Sequence, residues 1–173
     1  MLDERRAAPP RGNAMKGHVI ATGVWLALIA GGYFAFDRFT ARSEVSGCDG
    51  DTGALRVTAA TDGHFYIEGS IDGVSTTFMV DTGASTVTVG QRDAERIGLP
   101  PGAPANFHTA AGTVEGAMVR GRRVAAACLA VDQITVAVSP PMNGPALLGQ
   151  NFLRRFEMVV DGREMTLRPR AER

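Results

Sequence analysis

Residues 78–86, Phe-Met-Val-Asp-Thr-Gly-Ala-Ser-Thr, hold the side chains best placed for chemistry. An apolar, strand-like run ends on Asp81, and Thr82 and Gly83 follow at once. A carboxylate at the end of a buried strand is costly to ionise unless it is paired or hydrogen-bonded. Gly83 permits a tight turn and close approach of another backbone, and Thr82 offers a hydroxyl to a neighbour. Such a carboxylate is a candidate general acid or base acting on water. Residues 146–153, Ala-Leu-Leu-Gly-Gln-Asn-Phe-Leu, form a second phrase, apolar into Gly149 and then a short amphipathic helix.

An isolated Asp-Thr-Gly is ordinarily only a turn, because all three residues favour turns. The chain holds a second copy, Asp51-Thr52-Gly53-Ala54. That copy follows Gly47-Cys48-Asp49-Gly50 instead of an apolar strand, and it has no Leu-Leu-Gly partner of its own. Too few residues separate the copies for each to command a lobe with its own core. Asp49 and Asp51 hint at a calcium loop, but no Glu stands at the twelfth position, so no metal is expected.

Taken in order, the apolar strand into Asp81-Thr82-Gly83-Ala84, the hairpin that follows and Leu147-Leu148-Gly149 before a helix resemble the signature of the retropepsin-like aspartic proteases. The resemblance is to their membrane-anchored bacterial branch and runs from Gly63 to Leu167. It implies a mainly β fold, a small closed barrel or sandwich with one or two short helices. It implies that Asp81 is catalytic within the loop of Thr82, Gly83, Ala84 and Ser85. Thr82 would link two such loops and Gly83 would line the substrate backbone. Ala110, Ala111, Gly112 and Thr113 would form the tip of a mobile flap, and Leu148 and Gly149 would support the Asp loop from behind.

Peptide hydrolysis of this kind uses two carboxylates that share one proton, because like charges so close cannot both ionise. This chain supplies one suitable Asp, so two copies would meet about a two-fold axis, each giving Asp81. The expected protein is a homodimeric aspartic endopeptidase without cofactor, acting on an extended peptide bound partly as an added strand. Two departures from the family stand out. The end of the chain, residues 168–173, is charged and contains Pro169, a poor interface strand, and the flap has fewer glycines than the retroviral pattern. The competing expectation is a non-catalytic, membrane-tethered dimerisation or peptide-binding module on the same fold.

The rest of the chain must place this site. Residues 1–17 read as a polar cytoplasmic tail with Arg5, Arg6, Arg11 and Lys16. Residues 18–36 read as a transmembrane helix, its uncharged run of 19–36 just long enough to span a bilayer. The flank at residues 37–42 is a poor cleavage site, which favours an uncleaved anchor over a secreted enzyme cut near Ala41. Basic residues before the helix outnumber Arg38 and Arg42 after it, so the protease domain is expected outside the inner membrane, in the periplasm. Gly23, Ala27, Gly31 and Ala35 recur at a spacing that suits packed membrane helices, where Gly and Ala are also simply common. Residues 37–54 read as a linker and 55–170 as the protease domain.

Within that domain, strand signals cover 56–60, 64–71, 74–80, 86–89, 106–111, 113–119, 122–131, 133–138, 147–148, 158–160 and 165–167. Helices are expected at 91–97 and 150–156, the first closed by Gly98 and Pro100-Pro101. No phosphate-cradling loop, metal-ligand cluster or basic patch for nucleic acid is evident, and the formal net charge is zero. His64 reads as a strand-surface residue, and His108 lies at the base of the flap. Cys48 and Cys128 fit an oxidising compartment. Cys128 reads as a small buried side chain in an Ala/Val strand. Free thiols are expected ahead of a Cys48–Cys128 or a Cys48–Cys48 bridge.

Overall fold

The computed structural model describes residues 24–25, 45–109, 112–142 and 144–170. The tail at 1–17 and almost all of the span at 18–36 lie outside them, and no described helix is long and apolar enough to cross a membrane. Residues 42–173 form one compact unit.

Its strands are β1 (Val45–Cys48), β2 (Leu55–Thr58), β3 (Tyr66–Ile71), β4 (Val74–Val80), β5 (Val87–Gly90), β6 (Ala103–Thr109), β7 (Gly112–Ala126), β8 (Leu129–Ser139), β9 (Ala146–Leu148), β10 (Phe156–Asp161) and β11 (Glu164–Pro169). Helix α1 (Gln91–Ile97) follows β5 and helix α2 (Gln150–Leu153) follows β9. Local chemistry explains several boundaries. Asp72 and Gly73 both take positive φ, 50° and 84°, the Asp-Gly turn that joins β3 to β4. α1 stops at Gly98, φ 76°, whose N–H donates to the Ala94 and Glu95 carbonyls.

Strands β3-β4-β9-β5-β8-β7 pair in sequence, and β7 returns to β3, which closes a barrel. Closure is tight at Gly69, opposite Ala126 on β7. A Cβ there would collide with the Ala125 carbonyl oxygen and come within 3.0 Å of Ala126 Cα. β6 hangs outside the ring as the partner of β7. A second sheet, β1-β2-β11-β10, packs Leu55, Val57, Met165 and Leu167 into the same core as Phe78 and Phe152. Burying either Phe side chain fully contributes about 1.5–3 kcal/mol. The mainly β barrel with two short helices agrees with the fold expected from the sequence.

Several expectations are corrected. β7 runs unbroken through residues assigned to two strands, and its hairpin with β8 turns at Ala127 and Cys128, not near residue 132. Asp132 looked like a turn residue because it is polar. It lies instead exposed on β8, where its carboxylate accepts from Arg123 Nη1 at 2.9 Å. Gln133 takes φ 58° where β7 and β8 shift register. α2 ends at Leu153 rather than 156, because Phe156 starts β10 and packs on Phe152 with ring centroids 5.2 Å apart. The later part of the stretch read as linker holds β1, which pairs with β2.

The cysteines are also corrected. Cys48 and Cys128 are bonded to each other, with Cα atoms 6.2 Å apart. Because β7 ends at Ala126, Cys128 sits exposed in a turn and not within a strand, and the bond ties β1 to the barrel. Removing this link with a Cys48→Ser, Cys128→Ser pair is expected to cost about 2–4 kcal/mol, read as a lower urea midpoint. Equal midpoints for parent and variant would show that the bond contributes nothing.

Two surface carboxylates make the fold sensitive to acid. Asp62 is held below the usual range first by the Tyr66 hydroxyl, which donates to it at 2.6 Å, and then by the His64 N–H. Asp49 is lowered mainly by the Asp51 N–H. Both values are depressed in the folded state, so their stabilisation is complete above the unfolded-state pKa and fades as pH falls through the folded-state value. Melting temperature should therefore drop below about pH 4, and less steeply in Asp62→Asn; identical slopes would rule this contribution out.

Candidate active site

β4 carries an apolar run into the barrel, with Phe78 fully buried, and lies between β3 and the parallel β9. Met79 pairs with Leu147 and Val80 with Leu148. Strand pairing continues one step further, since the Asp81 N–H donates to the Leu148 carbonyl at 3.2 Å. Asp81 is therefore delivered, half-buried, at the barrel's end. Its carboxylate is oriented within its own loop: Gly83 N–H donates to Asp81 Oδ1 at 2.8 Å, and Ala84 N–H to the Asp81 carbonyl at 3.3 Å. Thr82, Gly83 and Ser85 are exposed, Ala84 is half-buried, and Leu148 and Gly149 are buried beneath.

The start of α2 braces this loop. Gln150 N–H donates to the Ala84 carbonyl at 2.8 Å and Asn151 N–H to the Ser85 carbonyl at 3.1 Å. Gln150 Nε2 donates to the Thr82 carbonyl at 3.1 Å. Asn151 reaches further. Its Oδ1 accepts from the Val87 N–H at 2.8 Å and its Nδ2 donates to the Thr135 carbonyl at 2.7 Å, bridging β5 and β8. Gly149 lies against the loop so closely that a Cβ would stand 2.8 Å from the Ala84 carbonyl oxygen and nearer still to that of Thr86.

The structure thus brings Asp81, Thr82, Gly83, Ala84, Ser85, Leu148 and Gly149 together. Gly112, at φ 119°, and Thr113 open β7 at the far end of the β6–β7 hairpin, where Thr109 faces Gly112. Ala110 and Ala111 lie outside the described residues. Sequence reading missed Gln150 and Asn151 as positioning residues. Their signal was two amides placed directly after Leu-Leu-Gly, at a helix start where backbone N–H groups are already aimed at the preceding loop. Asn151→Leu, which leaves the Val87 N–H and the Thr135 carbonyl without this partner, is expected to cost about 2–3 kcal/mol. Chemical denaturation reads this directly, and a loss below about 0.5 kcal/mol would remove Asn151 from the brace.

Among the described residues, no three His, Cys, Asp or Glu side chains gather as a metal site. The second Asp-Thr-Gly is a surface turn: Asp49 Oδ1 accepts from the Asp51 and Thr52 N–H groups at 3.0 and 3.3 Å.

Residues 67–155 match the model of the family described as "gag-polyprotein putative aspartyl protease". The chain belongs to this family. A retropepsin-like aspartic protease from Rickettsia conorii has a similar structure, with TM-score 0.61 and 26% identity, over 75% of this chain and 96% of that one. Among curated proteins, an uncharacterised Sinorhizobium protein encoded 5′ of cobV is 36% identical over 57% of this chain and 44% of its own length. An uncharacterised Rickettsia prowazekii protein is 39% identical over 28% of this chain and 21% of its own. The chain spans less than half the length of these curated relatives. The fold is therefore that of the retropepsin-like aspartic proteases, with Asp81 inside the matched region.

Proposed function

We propose that this protein is a membrane-anchored aspartic endopeptidase that works as a homodimer, each subunit giving Asp81. The observation that carries the reading is the placement of Asp81, in an aspartyl protease family, at the end of the strand that buries Phe78, with its carboxylate oriented by the Gly83 N–H. Two such carboxylates share one proton. The ionised one takes a proton from water as the water attacks the peptide carbonyl. The protonated one donates to the carbonyl oxygen, and a proton then reaches the leaving amine. Thr82, exposed beside Asp81, suits a role against the second loop. Gly112 and Thr113, with Ala110 and Ala111, would act as the flap over an extended peptide. The uncharged run at 19–36 would anchor the chain, with the barrel on the periplasmic side.

The test is cleavage of an unfolded protein by the full chain in detergent, from acidic to neutral pH, at several concentrations. Specific activity that rises with concentration supports the homodimer. A folded, dimeric chain that cuts nothing at any pH would favour a peptide-binding module instead. Placement is checked by protease protection of the barrel in right-side-out and inverted vesicles, and protection in right-side-out vesicles would reverse the proposed orientation.

A further inference from the structure

The chain just before β3 runs back alongside Asp81. Tyr66 pairs with Met79 on β4, and the Val80 N–H donates to the Phe65 carbonyl at 2.9 Å. The next step of this antiparallel register sets His64 opposite Asp81, at a position where the two backbones exchange no bond and side chains stand closest. There the His64 carbonyl accepts from the Ala60 N–H, and the Asp81 N–H turns to Leu148. Sides alternate along both strands. Ile67 and Phe78 are buried opposite each other, and Phe65 and Val80 pack against the same core. Tyr66, Met79, His64 and Asp81 therefore share the other face. Asp62 is tied to that face: its Oδ2 accepts from the Tyr66 hydroxyl at 2.6 Å and its Oδ1 from the His64 N–H at 2.9 Å. His64 Nδ1 stands 3.5 Å from Asp62 Oδ2, and both side chains are about half exposed. The donors from Tyr66 and His64 hold Asp62 below the usual carboxylate range, so it is charged at neutral and mildly acidic pH. Asp72, Asp93, Asp132 and Glu157 each have an Arg partner, and Asp62 has none among the described residues.

We propose that Asp62, His64 and Tyr66 form a subsite for a basic side chain of the substrate, lysine or arginine, within two residues of the scissile bond. This rests on the endopeptidase reading above and names the class of peptide that the enzyme prefers. A peptide laid across Asp81 in extended form alternates its side chains, so one close to the cut falls on the face that Asp81 shares with His64 and Tyr66. An ionised carboxylate has more acceptor sites than Tyr66 and His64 fill, and an ammonium or guanidinium group supplies the donors. The ring of Tyr66 and the half-buried side chain of Met79 take the aliphatic stem, and the ring also attracts a cation. His64 lies between Asp62 and Asp81 in the chain's path and holds the Asp62 carboxylate in place. A glutamate at the same substrate position would meet Asp62 with like charge. In the homodimer the two-fold axis repeats the subsite on the other side of the cut.

The test begins with unfolded casein digested by the full chain in detergent, its cut sites read by mass spectrometry. Lys and Arg should be enriched within two residues of the cut. Synthetic peptides spanning the strongest site then carry Lys, norleucine or Glu at the enriched position. Norleucine keeps the stem and removes the charge. The parent's kcat/KM for the Lys peptide should exceed that for norleucine about fivefold, the upper end for a half-exposed ion pair. Asp62→Asn should bring this ratio below about twofold, and Asp62→Lys should put the Glu peptide ahead of the Lys peptide. A merely structural loss would slow all three peptides together and leave the ratios unchanged. If cutting depends on Asp81 but shows no enrichment, or if the Lys preference survives Asp62→Asn, the subsite is overturned and the endopeptidase reading stands. If the folded chain cuts nothing, that reading falls and the subsite falls with it.

Discussion

Asp81→Asn is expected to lower peptidase activity by on the order of 10²–10⁴-fold while leaving the melting temperature within about 2 °C of the parent. The two outcomes separate because the substitution changes chemistry and little else. Asn retains an Oδ1 that can accept from the Gly83 N–H, so the 2.8 Å bond that orients the side chain survives. The neighbouring bonds, from Asp81 N–H to Leu148 and from Ala84 N–H to Asp81, use only backbone. What disappears is the exchangeable carboxyl proton that, in the proposed homodimer, the two subunits share. A corollary follows for mixtures. Excess Asp81→Asn chain should suppress parent activity, since mixed dimers hold a single carboxylic acid. A variant as active as the parent would remove Asp81 from the chemistry; a variant that fails to suppress would remove the shared site.

Gly149→Ala is expected to cost about 2–4 kcal/mol and to lower the melting temperature by about 10 °C, with activity lost alongside. Backbone conformation is not the reason. Gly149 sits at φ −89°, extended backbone that any residue adopts. The obstacle is space: the added methyl would meet the Ala84 and Thr86 carbonyl oxygens. Neither can yield cheaply, because the Ala84 carbonyl already accepts from Gln150 N–H and the Thr86 carbonyl from the Thr88 hydroxyl. The methyl would therefore push the Asp81 loop away from α2. Gly73→Asn is the matched control. Gly73 needs a positive φ of 84°, which Asn tolerates, and has open space around its Cβ. A cost below about 1 kcal/mol is expected there. If Gly149→Ala melts like the parent, the close fit between loop and helix is not what holds Asp81.

Signals that are complete within a few residues could be read directly from the chain. β4 and α1 occupy the expected residues 74–80 and 91–97. An Asp-Gly turn opens the first, and Gly98 with Pro100-Pro101 closes the second. The decoy Asp51-Thr52-Gly53 was separable from the real motif because no apolar strand precedes it, and it is indeed a surface turn closed by Asp49. The hairpin of β7 and β8 was not legible in the same way. Its turn at Ala127 and Cys128 has the composition of strand, while Asp132, on the strand, has the composition of turn.

The order of short local patterns was determined by the sequence alone. An apolar strand into Asp81, a hairpin, and Leu-Leu-Gly into a helix imply the family and the chemistry, because turns, caps and alternation depend on neighbours along the chain. Only tertiary structure decided what meets across it: β3 against β7 through Gly69, Asn151 between Val87 and Thr135, Cys48 with Cys128, and β10 left at the edge of its sheet. Each depends on the closure of long loops and on close packing at a few ångströms. Residue type constrains such contacts only weakly until the barrel itself brings the partners together.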